Sequence, residues 1–283
     1  MPINQLEQHP YLNYRDNLNV KRDDYTGLII GSFPIFACSN LLDENLNVLI
    51  ENNFENQLRF RFFYGSNNSE FWDYMFKVYE NENQINIENC INLLENNKLL
   101  ISDIIFQTNR LNESAADSHL MIDNNVNNFI SENLLLNDGI LNIIEKNKNI
   151  KNLFFTAKGL TGKCPFGWFR SMFENNLEIV NINDQNNRFN CIINGREFNV
   201  FLLPTPKPRG IHFTDNQRNV EFSNYMQSID IEFFNIIDGL PEAERNNQQR
   251  NYISQLRLNF IVECYKQAFV HNNLNFNGFI LNA

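Results

Sequence analysis

Nowhere do about 18 apolar residues follow one another, so the chain holds no run suited to cross a bilayer. Its first residues, Met-Pro-Ile-Asn-Gln-Leu-Glu, lack the basic-then-apolar order of a secretory signal, and a cytoplasmic protein is expected. Cysteine is scarce and scattered. Cys38, Cys90, Cys164, Cys191 and Cys264 are odd in number and never spaced as Cys-x-x-Cys, which fits reduced, mostly structural thiols and supports neither a zinc site nor an iron–sulfur cluster. Carboxylate clusters of the kind that hold Mg²⁺ are missing as well, which weighs against a nucleotidase. Gly159, Gly162 and Lys163 stand in a Gly-x-x-Gly-Lys-Cys order and not in the Gly-x-x-x-x-Gly-Lys-Ser/Thr order of a phosphate-binding loop, so nucleotide hydrolysis is rejected.

A surplus of positive charge is also absent, since the net charge is −10, and at first sight this argues against a nucleic-acid partner. The deficit is uneven, however: residues 1–150 hold 10 Lys and Arg against 21 Asp and Glu, whereas 151–218 hold 9 against 5. Any contact with DNA phosphate should therefore map to the second half. Hydrophobic residues make up 43% of the 283, enough for a sizeable core. Neither a linker nor a repeat interrupts the chain, so a single domain over 1–283 is expected.

Taken in order, residues 1–26 are polar and read as a segment that wraps the sheet before the first strand. Gly27 to Ile30 is a short apolar run ended by Gly31 and Pro34, which reads as a buried strand opening into a tight loop. Residues 41–61 read as an inserted helix and loop, and Phe71 to Tyr79 as a helix. Leu99 to Phe106 reads as a second buried strand carrying Ser102 and Asp103, followed by a polar loop over 107–120 and a helical region over 124–148. Leu153 to Thr156 is a third strand. Asn194-Gly195 is a hairpin turn between Phe189–Ile193 and Glu197–Leu203, whose second arm is the fourth core strand. Residues 242–270 read as a carboxy-terminal helical extension. Strands alternating with helices give an α/β fold, expected as an α/β/α sandwich around a short, mainly parallel four-stranded sheet.

Gly31-Ser32-Phe33-Pro34, taken with Phe-Phe-Tyr-Gly-Ser-Asn-Asn-Ser-Glu-Phe-Trp at 62–72, resembles the uracil-DNA glycosylase superfamily. Within it the chain is similar to the branch with Gly-Ser-Phe-Pro in the first loop, that of hypoxanthine-type and mismatch-type DNA glycosylases. The resemblance covers roughly residues 9–210. It implies a monomeric enzyme without metal or cofactor, which takes a base out of DNA into a pocket and hydrolyses its N-glycosidic bond. Repair of deaminated bases and defence against phage DNA carrying glucosylated hydroxymethylcytosine are both compatible roles. A catalytically silent binding module with the same fold is the rival.

The resemblance implies a site built from Gly31, Ser32, Phe33 and Pro34, from Ser102 and Asp103, and from the loop that begins at Pro204. Ser32 and Phe33 stand where relatives carry the residue that holds water. Ser69 occupies the position of an Asn that can take over that role, with Asn67 and Asn68 beside it. Asp103 falls where uracil-specific relatives read the base with Asn. An ionised Asp only accepts hydrogen bonds, which suits the amine of cytosine or adenine or the ring N–H of hypoxanthine, so uracil is not the expected substrate. In a run this apolar Asp103 is either used or paired, with Arg110 or a lysine as its expected partner. Tyr64, Phe71 and Trp72 are candidates for stacking on the base, with Phe71 and Trp72 equally suited to helix core. Asp117, His119 and His212 are further candidates for substrate contact. Lys158, Lys163, Thr205, Lys207 and Arg209 are candidates for phosphate contact.

Overall fold

The structure, a computed structural model, describes residues 6–14, 24–42, 48–51, 57–110, 120, 134–160, 164–173, 176–180, 187–206, 216–237, 240, 241, 244 and 250–273. Its elements in chain order begin with β1 (Leu6–Gln8), β2 (Gly27–Gly31), β3 (Asn40–Leu42), β4 (Val48–Glu51), α1 (Phe71–Val78) and α2 (Ile87–Asn96). There follow β5 (Leu99–Asp103), β6 (Ile105–Asn109), β7 (Leu135–Leu136), α3 (Gly139–Lys146), β8 (Asn152–Phe155) and α4 (Pro165–Phe173). The last are β9 (Leu177–Val180), β10 (Arg188–Ile193), β11 (Arg196–Leu202), α5 (Asn216–Ile229), α6 (Ile231–Ile237) and α7 (Arg250–Phe269).

The fold is mixed α/β. Its larger sheet has the order β5-β2-β8-β11-β10-β9; the first four strands are mutually parallel and the last two join antiparallel. The expected four-stranded sheet is thus extended to six, and a second sheet, β4-β3-β1-β6-β7, is antiparallel throughout. Every residue of β2 is buried, as a parallel strand covered on both faces must be. Alternation along the strands divides the core in two. Ile29, Ile101, Phe154 and Phe201 pack on one face with Trp72 and Met75 of α1, Leu94 of α2 and Phe260 and Tyr265 of α7. Leu28, Ile30, Phe155 and Val200 pack on the other with Ile140 and Ile144 of α3 and Phe166 and Phe169 of α4. Among the described residues no helix is long and apolar enough to cross a membrane.

Four expectations are corrected. The run 99–106 is not one strand: the chain bends at Ile104, leaving β5 in the larger sheet and entering β6 in the smaller. Both halves are largely buried, so apolarity alone cannot mark the change of sheet. The amino-terminal segment does not wrap the sheet, because β1 lies between β3 and β6 inside the second one. Its polar residues are buried as pairs, which a hydropathy reading cannot detect. Where 41–61 was expected to hold a helix, its described residues contribute to β3 and form β4, consistent with the β-branched Val48 and Ile50. Of 124–148, only α3 is helical among the described residues, and Leu135–Leu136 is a strand. Of the expected carboxy-terminal helix, Arg250–Phe269 is helical among the described residues, and the tyrosine hydroxyl of Tyr265 on it donates to the Pro204 carbonyl (3.0 Å) at the exit of β11.

Candidate active site

Because β2, β5, β8 and β11 run in one direction, their carboxyl ends share one edge of the sheet, the place where open α/β sheets present ligand-binding loops. β2 leads into Ser32, Phe33, Pro34 and Ile35, β5 ends on Asp103, β8 leads to Thr156 and Ala157, and β11 leads to Thr205 and Pro206. Residues from all four border one cavity of about 330 Å³. Its remaining walls are His9 and Tyr11 after β1, Cys38, Phe62 to Ser66, Asn68, Ser69, and Pro165 at the start of α4.

The aromatic wall is held from behind. The indole Nε1–H of Trp72 donates to the Phe63 carbonyl (2.6 Å), and the Tyr64 ring stacks on Phe71 with centroids 4.4 Å apart. Tyr64 itself has φ 55°, a left-handed conformation uncommon for an aromatic residue, and its hydroxyl shares a 2.6 Å hydrogen bond with Thr156 Oγ1. The backbone of 59–65 is closed by Arg59 N–H to Gly65 O (2.8 Å) and Gly65 N–H to Phe62 O (2.9 Å). These bonds offset the cost of holding large rings at a cavity surface.

Asp103 is 5% exposed, and its partner is neither Arg110 nor a lysine. His9 Nε2 lies 2.8 Å from Asp103 Oδ2, and the Tyr11 backbone N–H donates to His9 Nδ1 at 3.1 Å. An accepting Nδ1 leaves Nε2 as the protonated nitrogen, so Nε2–H donates to the carboxylate. The second oxygen, Oδ1, is buried and has no hydrogen-bond partner among the described residues. It lies over the α-carbon of Gly31 beside the Tyr64 hydroxyl, and a Cβ built on Gly31 would collide with both. A side chain at 31 would therefore displace the carboxylate, which is a physical reason for glycine at the end of β2.

Arg110 serves the first loop instead. Its Nε donates to Glu7 Oε1 (2.9 Å), and Nη2 donates to Glu7 Oε2 (3.2 Å) and to the Pro34 carbonyl (2.8 Å). Ser39 Oγ donates to Glu7 Oε2 at 2.6 Å. The pair is almost fully buried, so strands β1 and β6 fix the Ser32–Ile35 loop through its carbonyl. Backbone bonds from Ile104 N–H to Gly31 O (3.0 Å) and Ile105 N–H to Ser32 O (3.1 Å) hold the same loop along the bend after Asp103.

Cys38 lines the cavity, yet burial pushes its thiol up to about 12, against the opposing pull of the Arg61 and Arg110 guanidinium groups. Only the thiolate is nucleophilic, so its thiolate fraction at pH 8 falls about a thousandfold below that of an ordinary thiol. Alkylation of Cys38 by iodoacetamide in the folded protein should be slower by at least that factor than in urea. Mass-spectrometric mapping of labelled peptides reads this directly, and rapid native labelling at pH 8 would show that the cavity wall is built differently.

Of the residues singled out in the sequence, Ser32, Phe33, Pro34, Tyr64, Asn68, Ser69, Asp103 and Thr205 border the cavity together. Ser102 does not: it faces away from Asp103, as alternation along a strand requires, and its Oγ accepts from Asn137 Nδ2 (3.0 Å). Phe71 and Trp72 are buried supports behind the wall, and Gly31 acts by leaving room for Asp103 and Tyr64. Asn67 lies outside the wall, with its backbone N–H on the Gln57 carbonyl (2.8 Å). Lys158 is half-buried beyond β8 and does not border the cavity. Asp117, His119, Lys163, Lys207, Arg209 and His212 lie outside the described residues. His9, Tyr11, Cys38 and Thr156 were not singled out. Thr156 carries the signal that marked Asp103, a polar residue ending a buried strand, whereas His9 follows a polar stretch that gives none. Among the described residues no three His, Cys, Asp or Glu side chains gather as a metal site.

Compared with known proteins, the chain matches no family model, no curated protein and no solved structure.

Proposed function

We propose that the chain is a DNA glycosylase that hydrolyses the N-glycosidic bond of a damaged or modified base, acting in the cytoplasm as a monomer without metal or cofactor. The observation that carries the reading is Asp103: a buried carboxylate with one oxygen held by His9 and the other without a hydrogen-bond partner among the described residues, at an aromatic-walled cavity at the carboxyl ends of four parallel strands. Buried unpartnered acceptors are costly, and such sites tend to be retained for a ligand. Helices packed on both faces of those strands fit an α/β/α sandwich of the uracil-DNA glycosylase kind, with β9, β10 and the second sheet as additions to it.

In this reading a base flipped from the stack enters between Phe33, Phe63 and Tyr64 and donates a hydrogen bond to Asp103. An amine of cytosine or adenine supplies that donor, as does the ring N–H of hypoxanthine. As the N-glycosidic bond breaks, its electron pair leaves with the base and the sugar becomes oxocarbenium-like, which the carboxylate stabilises electrostatically; water then bonds to the sugar carbon and its proton passes to the departing base. Asn68 and Ser69 border the cavity, and in this reading they hold the attacking water, the role that an Asn has in the superfamily the chain resembles. Thr205, with Lys163, Lys207 and Arg209, meets the DNA backbone.

An alkali-cleavage assay for abasic sites tests this on matched DNAs containing uracil, hypoxanthine, hydroxymethylcytosine and glucosylated hydroxymethylcytosine. Product from either of the last two alone assigns the enzyme to modified cytosine and so to phage defence. Hypoxanthine cleavage assigns it to repair. Salt-dependent DNA binding without product on any substrate would overturn the reading in favour of a silent binding module.

A further inference from the structure

Resting on the base pocket of that reading, we infer that the cavity selects for positive charge, so that purines made cationic by N-alkylation are the class of base it takes. Among the described residues that border the cavity, Asp103 is the one acidic side chain, and neither Lys nor Arg is among them. Its partner adds no compensating charge. His9 accepts from the Tyr11 amide at Nδ1 and gives its Nε2–H to Asp103, so the imidazole is neutral and the pair is a net anion. Burial keeps the bordering Cys38 a neutral thiol. Two guanidinium groups act on that thiol from outside the cavity border. Arg110 sits 5.8 Å from the Phe33 ring centroid with its charge opposed by Glu7, and Arg61 is half-buried.

The attraction needs no contact with the carboxylate. Oδ1 is packed against Gly31 and the Tyr64 hydroxyl and Oδ2 is held by His9, so the charge acts on the cavity through space. At a buried site such a field is weakly screened and reaches across the width of a ring. Phe33, Phe63 and Tyr64 add electron-rich surface at the cavity border. Phe71 covers one face of the Tyr64 ring from outside that border, and the half-buried ring meets the cavity with the remainder. Leaving-group chemistry points the same way. A neutral base takes the electron pair of its bond to the sugar and departs as an anion, which the Asp103 charge repels until a proton arrives. A cationic base takes the same pair and departs neutral; water bonds to the sugar carbon, its proton passes to solvent, and no acid is needed.

Ligand-observed NMR titration on the full chain tests the inference with two probes of one shape, 7,9-dimethyladeninium and 7,9-dimethyl-7-deazaadenine, of which the first alone carries a positive charge. The cation should bind about 10- to 100-fold more tightly, the range expected for a nearby opposite charge aided by aromatic rings. Asp103→Asn should bring that ratio to within about threefold of unity while leaving the neutral probe's affinity in place. A general loss of packing would weaken both probes alike. Equal binding of the two by the native chain overturns the inference. So does a ratio that survives Asp103→Asn, since it would come from the overall charge of −10 and not from the cavity. The two readings fail separately when abasic-site formation is followed on DNA containing 7-methylguanine beside the other substrates. Preference for the cation without product on any DNA sinks the glycosylase alone, and product without that preference sinks the charge selection alone.

Discussion

Replacing Asp103 by Asn is expected to lower base excision by about 10²- to 10³-fold, the cost typical of removing one preorganised electrostatic contact to a transition state. Folding should not suffer. The amide oxygen can still accept from His9 Nε2–H, the volume is conserved, and a buried carboxylate with one oxygen unpartnered among the described residues is exchanged for a neutral group. Stability should therefore be unchanged or higher while activity falls, the opposition expected where a side chain is kept for function. Paired measurements of abasic-site formation and thermal unfolding check both halves. An Asp103→Asn enzyme with full activity on every substrate cleaved by the native protein would remove Asp103 from the mechanism.

The largest loss of stability is expected at the other buried charge pair. Arg110→Met should destabilise the fold by about 3–5 kcal/mol, because it leaves the Glu7 carboxylate buried without its guanidinium partner. The same change frees the Pro34 carbonyl, so the Ser32–Ile35 loop loses a tie at the cavity mouth. Adding Glu7→Gln should recover much of the loss, since the lone charge rather than the missing bond carries most of the cost. Urea denaturation of the single and double variants decides the matter. Equal midpoints for Arg110→Met and the native chain would mean that the pair is not closed in solution.

The four parallel strands of the larger sheet were legible because they are short, mainly apolar runs: Gly27–Gly31, Leu99–Asp103, Asn152–Phe155 and the second arm of the Asn194-Gly195 hairpin all appear as strands, whereas β9 gave no such signal. The second sheet was not. It depends on Glu7, Ser39 and Arg110 cancelling one another's polarity once buried, and such cancellation exists only between residues distant in sequence. Asp103 stood out because a carboxylate in an apolar run demands an explanation. Its partner did not, since His9 lies in a stretch whose burial comes from β1 pairing with β6. Ser102 and Asp103 are adjacent polar residues, and strand alternation separates the one that borders the cavity from the one that anchors Asn137.

The position of β1 also sets an order on folding. β1 pairs in register with Asn40–Leu41 and with Gln107–Asn109, and Glu7 on it and His9 just after it meet partners 103 and 94 residues away. Contacts so distant in sequence close late, because loop-closure entropy must be met before they contribute. Until residues near 110 have been made, Glu7 lacks its guanidinium partner, His9 lacks its carboxylate, and β1 keeps one open edge, the state in which chains aggregate or recruit chaperones. Weakening the second sheet should then act mainly on the rate at which the native protein opens and little on the rate at which it forms. The part of the molecule proposed to recognise a base would thus be among the last to assemble.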